Sequence, residues 1–389
     1  MTTRVERGRE ESLGDVDGDL EVEDGAVIRG RAGAGVKVSG TVKLEGDAEI
    51  ECDLECLAME SEDGMVRANG SLRAHGSIEV DDALYVKGDL TASEVEVGGR
   101  ASVGGSLTSP EVSVGGSLDV AGAFDSASVR VGGMVSAPGI VSLGDLDVGG
   151  KAEIGSGRVT GEIKVGGTLL MISKVVFEEC KVGGLIEVQG DCVGESIKVG
   201  GRLTANGSMK CEEIKAGGEV RIVGDYEGGS IQVGGRLEVE GKLTLTEDLS
   251  VGGKVEVRED MVGHSLSVGG SFKAKKAVLS GEVAVGREVE TALGLRARAI
   301  SMGKGSRAKG ALVADEVELE KGCTVEDVYA KDFRAKKVSR MGRVFAESVE
   351  IEDGCTAKEV NYTKELSLGR AVRLDVPPKK VDALPEPPI

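Results

Sequence analysis

The chain has no tryptophan, only five phenylalanines and four tyrosines, and only two histidines among 389 residues. A core of this size ordinarily relies on large aromatic side chains, so this one must be built from Val, Leu, Ile and Ala. His75 and His264 are too few to make a Ser-His-Asp arrangement or a histidine-based metal centre a reasonable expectation. Prolines number seven and glycine does not fall at every third residue, which excludes a collagen-like chain. No run approaches the roughly 18 apolar residues of a membrane helix. The opening Met1-Thr-Thr-Arg-Val-Glu-Arg carries no apolar signal region. The expected location is the cytoplasm, with membrane association left open. Positive charge is also short: 48 Lys+Arg against 67 Asp+Glu leave −19, which disfavours general nucleic-acid binding. The seven cysteines (Cys52, Cys56, Cys180, Cys192, Cys211, Cys323, Cys355) are odd in number and lack framework spacing, as in a reducing compartment.

What is abundant is glycine, 61 residues, and much of it falls in a repeat. Val-Gly-Gly begins at Val97, Val114, Val131, Val148, Val165, Val182 and Val199, continues through Ala216, and resumes at Val233, Val251 and Val268, with Val285-Gly next. The step is 17 throughout, except for one step of 18 between Val233 and Val251. With the anchor as position 1, apolar residues recur at positions 5, 7, 11 and 16, as in Val114, Leu118, Val120, Phe124 and Val129. The two-residue spacings within this set are strand alternation, and no helical three-four spacing follows one face. Three short strands per unit need three corners. The Gly-Gly pair is expected to supply one by adopting positive φ, glycine at position 9 another, and a polar stretch the third. The prediction is an all-β, right-handed parallel β-helix, a triangular solenoid of about 20 coils of ~17 residues, roughly 95 Å long at ~4.8 Å per coil. Handedness follows from the preference of strand–crossover–strand connections.

Three regions are expected: a disordered charged tail over 1–14, a solenoid over 15–376 with its regular repeats at 80–302, and a Pro-rich tail over 377–389. Upstream anchors fall at Leu44, Ser61 and Val80; downstream ones fall at Met302, Leu319, Ala335, Ile351 and Leu368. A terminal coil leaves a row of unpaired backbone groups above an open aliphatic core. No helical cap is visible at the C-terminal end, so end-to-end stacking is the expected behaviour. The expected contact residues are Leu20, Val22 and Val27 at one end and Phe345, Tyr362, Leu366, Leu368, Val372 and Leu374 at the other. Pro377, Pro378, Pro385, Pro387 and Pro388 mark an extended polyproline-like tail suited to docking. No Gly-x-x-x-x-Gly-Lys-[Ser/Thr] motif is present to supply a nucleotide switch.

The stretch Val38-Ser-Gly-Thr-Val-Lys-Leu-Glu-Gly-Asp-Ala-Glu-Ile, the repeated Gly-x-Leu-x-Val-x-Gly units and the proline-containing tail resemble the bactofilins, the polymer-forming cytoskeletal proteins. The resemblance covers most of residues 15–376 through a degenerate repeat. It implies a right-handed triangular β-helix, head-to-head and tail-to-tail filaments formed without nucleotide, and a scaffold role in cell shape or envelope organisation. It also implies an aromatic of the terminal coil at the polymer contact, for which Tyr362, with Phe345 behind it, is the nearest match. The chain departs from the family in its much longer core and in lacking a short apolar membrane-binding N-terminus. Charge points to a different polarity. Residues 1–64 carry 7 basic and 18 acidic groups, whereas 271–343 carry 16 and 10, an asymmetry that favours head-to-tail contact. Both polarities stand at this point.

Lys164, Lys181, Lys198 and Lys215 recur every 17 residues and form an outward ladder, with Glu162, Glu179 and Glu213 two residues earlier. A solvated, charge-balanced face is the plain reading, and a docking face for a partner the sharper one. Cys52-x-x-x-Cys56 has no accompanying ligands and reads as core packing. The chain's three asparagines, Asn69, Asn206 and Asn361, all lie in Asn-x-Ser/Thr sequons, two of them as Asn-Gly turn pairs. The functional expectation is a nucleotide-independent polymer-forming scaffold whose main partner is itself, with envelope or membrane-associated proteins reached through the tails. The alternative is a non-polymerising rod that presents charged faces or its Pro-rich tail to a partner. Enzymatic activity, cofactor, metal, nucleic acid and small-molecule substrate are not expected.

Overall fold

The structure, a computed structural model, describes residues 2–389. Proximity of residues divides the chain into two compact units, Met1–Glu195 and Ser196–Ile389. Each is a parallel β-solenoid with about 17 residues per turn, and the turns number about 22 in all. Among the described residues there is no α-helix, only a single 3-10 turn at Arg31–Gly33.

Each turn contributes strands to three parallel ladders, and in each ladder identical repeat positions stack. In the first unit one column runs Val66, Leu84, Ala101, Leu118. A second runs Leu54, Leu72, Leu90, Leu107, Phe124. A third runs Met59, Ile78, Val95, Val112, Val129. All of these side chains are buried. In the second unit the matching columns are Leu203, Val220, Leu237, Val255, Phe272, then Met209, Tyr226, Leu243, Met261, and Ile231, Leu249, Leu266, Val283, Ile300. β-branched and leucine side chains suit this stacking because each packs on its counterparts above and below as well as across the interior. Tyr226 enters the core without penalty because its hydroxyl donates to the Cys211 carbonyl oxygen at 2.6 Å.

The anchors outside the glycine-rich block also fall in register. Val5, Val22, Leu44, Ser61, Val80 and Val97 form one continuous column. Met302, Leu319, Ala335, Ile351 and Leu368 form another.

The Gly-Gly corners work differently from the expectation. None of the repeat's glycine pairs adopts positive φ. Their constraint is the close approach of one coil to the next. A Cβ on Gly116, Gly133, Gly150 or Gly167 would lie 2.5–2.7 Å from the carbonyl oxygen of the equivalent glycine one coil earlier, and the first glycine of each pair is tighter still. Backbone proximity, not turn conformation, therefore requires glycine here.

Left-handed corners occur at a separate place in the second unit. Gly305, Gly322 and Gly354 have φ of 73°, 80° and 73°, and Val338 and Ala371 adopt 66° and 58° at the equivalent sites. Each of the first four donates its N–H to the carbonyl preceding the equivalent residue of the next coil, as in Gly322 to Lys337 and Val338 to Asp353. Val338 is β-branched and 56% exposed, so nothing offsets the strain of its conformation. Val338→Gly is expected to stabilise the second unit by about 0.5–1 kcal/mol, the left-handed penalty less the entropic cost of glycine. Thermal unfolding checks this, with a midpoint raised by about 2 °C.

Both terminal regions differ from the sequence reading. Residues 1–14 are not a disordered tail over the part described: Thr2–Val5 pairs with Asp19–Val22, and Glu10–Leu13 pairs with Ala26–Gly30. Val5 and Leu13 are buried. Two inward apolar residues suffice to seat an otherwise charged segment when an existing strand edge supplies its hydrogen bonds. At the other end, the Pro-rich stretch is not free. Lys379–Lys380 pairs with Asn361 and Tyr362, and the Val381 N–H donates to the Tyr362 carbonyl at 2.9 Å. The turns number about 22 and not the expected 20, because the column of anchors continues past Leu44 to Val22 and Val5.

Candidate functional site

The residues expected at the end contacts do not all reach an end. Leu20 and Val22 lie inside the first unit, beneath Thr2–Val5, and are buried. Val27 lies between the inward Ala26 and Ile28, so its half-buried side chain points outward. The expected N-terminal contact at these three residues is therefore corrected: the charged opening segment supplies the coil that covers them. Phe345 is also displaced. It belongs to Arg340–Ile351, a strand already covered by Thr356–Leu368, and it points out from the solenoid.

The remaining C-terminal residues do gather at an exposed tip. Glu365, Leu366, Ser367 and Leu368 pair on one side with Ser348–Ile351, and no strand pairs on the other. Leu368 continues the column in which Ile351 is 1% exposed, yet is itself 41% exposed. Leu366 continues the column of Val317, Phe333 and Val349 and is half-buried. Leu374 stacks on Ala357, and Val372 beside it is likewise half-buried. Tyr362 is half-buried and covered by its pairing with Lys380. The tip thus joins an unpaired strand edge to the open end of an aliphatic core, because the chain leaves the stack after Lys380 instead of completing the last turn.

The lysine ladder carries its own counter-charges. In the first unit, Lys164 lies 2.9 Å from Glu162, and Lys181 lies 2.6 Å from Glu162 and 3.1 Å from Glu179. In the second, Lys215 lies 2.5 Å from Glu213, and Lys198 adds its charge beside that carboxylate. Hydrogen bonds from Lys181 and Lys164 hold the Glu162 carboxyl below its ordinary value of 4.5, and Lys215 does the same for Glu213. Hydrogen bonds from Arg221 and Lys254 likewise lower Glu240 and Glu256. A lowered folded pKa gives stability that is complete above the unfolded value of 4.5 and is lost as pH falls through the folded values. The melting temperature is therefore expected to hold through neutral pH and to fall progressively below about pH 4.5. Scanning calorimetry across pH 3–7 would show this, and a flat profile would contradict it.

The seven cysteines are thiols, and all but Cys52 are buried. Burial pushes the Cys56 and Cys211 thiols up to about 12, so they behave as packing groups and not as nucleophiles. Between Cys323 and Cys355 lies Ser339, whose hydroxyl faces the Cys323 N–H at 3.2 Å while its own N–H faces the Cys355 sulfur at 3.4 Å. His75 is exposed beside Glu55, and His264 faces the Ser280 hydroxyl. No group of three His, Cys, Asp or Glu among the described residues could hold a metal ion. No helix of the described residues is long and apolar enough to cross a membrane. Asn69 and Asn206 are exposed, but Asn361 is buried, which makes its sequon inaccessible in the folded chain.

One surface escaped the sequence reading. Val313, Tyr329, Phe345 and Asn361 form an outward column at a spacing of 16. Tyr329 and Phe345 stack with ring centroids 5.0 Å apart. The regular spacing of three apolar residues beside an inward column was the available signal.

Matched against protein-family models, curated proteins and solved structures, the chain has no counterpart in any of the three.

Proposed function

We propose that the protein is a scaffold that polymerises without nucleotide, adding copies at the C-terminal tip of its second unit. The observation that carries this reading is the exposed Leu368 at the end of a buried aliphatic column, beside a strand edge with no partner. An edge of this kind templates further strand pairing, and natural proteins normally blunt it with charge, proline or a covering segment. Here the proline-containing segment leaves the edge instead of covering it. The resemblance to bactofilins supports the same function with two kinds of contact: tail-to-tail, in which the tips of two copies meet, and head-to-head through the N-terminal coil of the first unit, since one two-fold contact alone would close a dimer.

Sedimentation of the purified protein tests the proposal. The protein is expected to pellet above a threshold concentration in nucleotide-free buffer, with the threshold unchanged by added ATP or GTP. A protein that stays in the supernatant at all concentrations, or pellets only with nucleotide, would refute it.

A further inference from the structure

In the outward column, Val313, Phe345 and Asn361 are buried and Tyr329 is half-buried, whereas outward positions elsewhere in the solenoid are mostly exposed or half-buried. Val313 is 8% exposed and Phe345 9%. The neighbouring inward residues are buried too, so Leu312 to Ala314 and Val344 to Ala346 are each three buried residues in succession. Strand alternation permits this only if something lies on the outer face.

The segment that meets this requirement is the C-terminal tail. It is pinned at one end, where Lys379 and Lys380 pair with Asn361 and Tyr362. At its other end the Ile389 side chain sits 2.9 Å from where a Gly294 Cβ would be. Gly294 precedes Leu295, which pairs with Leu312. From Lys380 to Gly294 is therefore five coil steps, about 24 Å at ~4.8 Å each. Residues 380–389 in a polyproline II conformation reach about 28 Å. The tail is long enough to lie along the stack over the whole column.

Its side chains show the matching period. Pro378, Val381, Leu384 and Pro387 are half-buried, and most of the residues between them are exposed. A spacing of three is one face of a polyproline II helix, which has three residues per turn. An aromatic-floored stripe receiving such a face is a recurrent mode of peptide recognition.

We propose that the Val313–Tyr329–Phe345 stripe is a recognition surface for an extended, proline-containing peptide segment with an apolar residue at every third position, and that the protein's own tail occupies it as a displaceable guard. The tail makes no strand ladder beyond Lys380, so its hold beyond that point rests on side-chain contacts. Because it is tethered, its effective concentration at the stripe is of millimolar order, and an incoming segment competes against that. The inference does not depend on polymerisation at the tip.

The test uses the full-length chain and a fluorescein-labelled synthetic peptide with the sequence of residues 378–389. The double variant Val381→Ser/Leu384→Ser loosens the tail without touching the solenoid. It is expected to bind the peptide at least tenfold more tightly than the unaltered chain, by fluorescence anisotropy. Adding Phe345→Lys, or Tyr329→Ser as the milder change, is expected to abolish that gain. Trypsin should also cut after Lys380 at least tenfold faster in the loosened variant, with an unchanged melting temperature. Equal peptide binding by the unaltered and loosened chains, absence of binding by both, or binding indifferent to Phe345 and Tyr329 would each overturn the proposal.

Discussion

Gly150→Val is expected to destabilise the first unit by about 3 kcal/mol, at the upper end of what overpacking ordinarily costs. The Gly150 Cβ would stand 2.5 Å from the Gly133 carbonyl oxygen, and Gly167 stands in the same relation to Gly150 on the following coil. The obstructing atoms are backbone, held by parallel ladders above and below, so they cannot give way as a flexible side chain would. At ~2–4 °C per kcal/mol for a domain of this size, the melting temperature should fall by about 6–12 °C. Gly305→Ala supplies the contrast. Gly305 has φ of 73° with nothing near its Cβ position, so only the left-handed penalty less the entropic cost of glycine, about 0.5–1 kcal/mol, applies. A Gly150 variant that melts with the parent protein would mean that the coils do not approach as closely as described.

Leu368→Arg is expected to block assembly while leaving the single molecule intact. Leu368 is already 41% exposed, so a charge there costs the isolated fold little. In a joint between two tips the same guanidinium would be taken out of water with no partner, a penalty of about 3 kcal/mol or more. That corresponds to a rise of about 100-fold or more in the concentration needed for assembly. Sedimentation of the variant beside the parent, with circular dichroism to verify the fold, measures both halves. Tyr362→Arg is the less informative change, because Tyr362 is already covered by Lys380.

Much of the architecture was legible because a solenoid repeats its physics. A step of 17 with apolar residues two apart identified strand, corner and stacking at once. It also placed anchors as irregular as Ser61 and Ala335 in the register they occupy. The reading failed where the repeat gives out. The first coil buries only Val5, Leu13 and Val16, and three scattered apolar residues in a charged stretch give no periodic signal. The glycine pairs were located correctly but explained by the wrong physics, since composition does not distinguish a positive φ from a neighbouring carbonyl. The tail was recognised as polyproline-like, but its three-residue period was not set against the column of Val313, Tyr329 and Phe345. Linking the two requires knowing that the chain reverses along the stack after Lys380. Of the expected contact residues, Leu366, Leu368, Val372 and Leu374 lie at the open tip. Leu20, Val22 and Val27 do not, because the opening segment adds a coil over them that the pattern did not reveal, and Phe345 does not, because Thr356–Leu368 already covers its strand.

Assembly at the exposed tip is most directly tested by electron microscopy of the purified protein in nucleotide-free buffer, across a range of protein and salt concentrations. The account predicts unbranched filaments in every preparation above a threshold concentration, and their disappearance with Leu368→Arg. Fields of isolated single molecules at every concentration would contradict it.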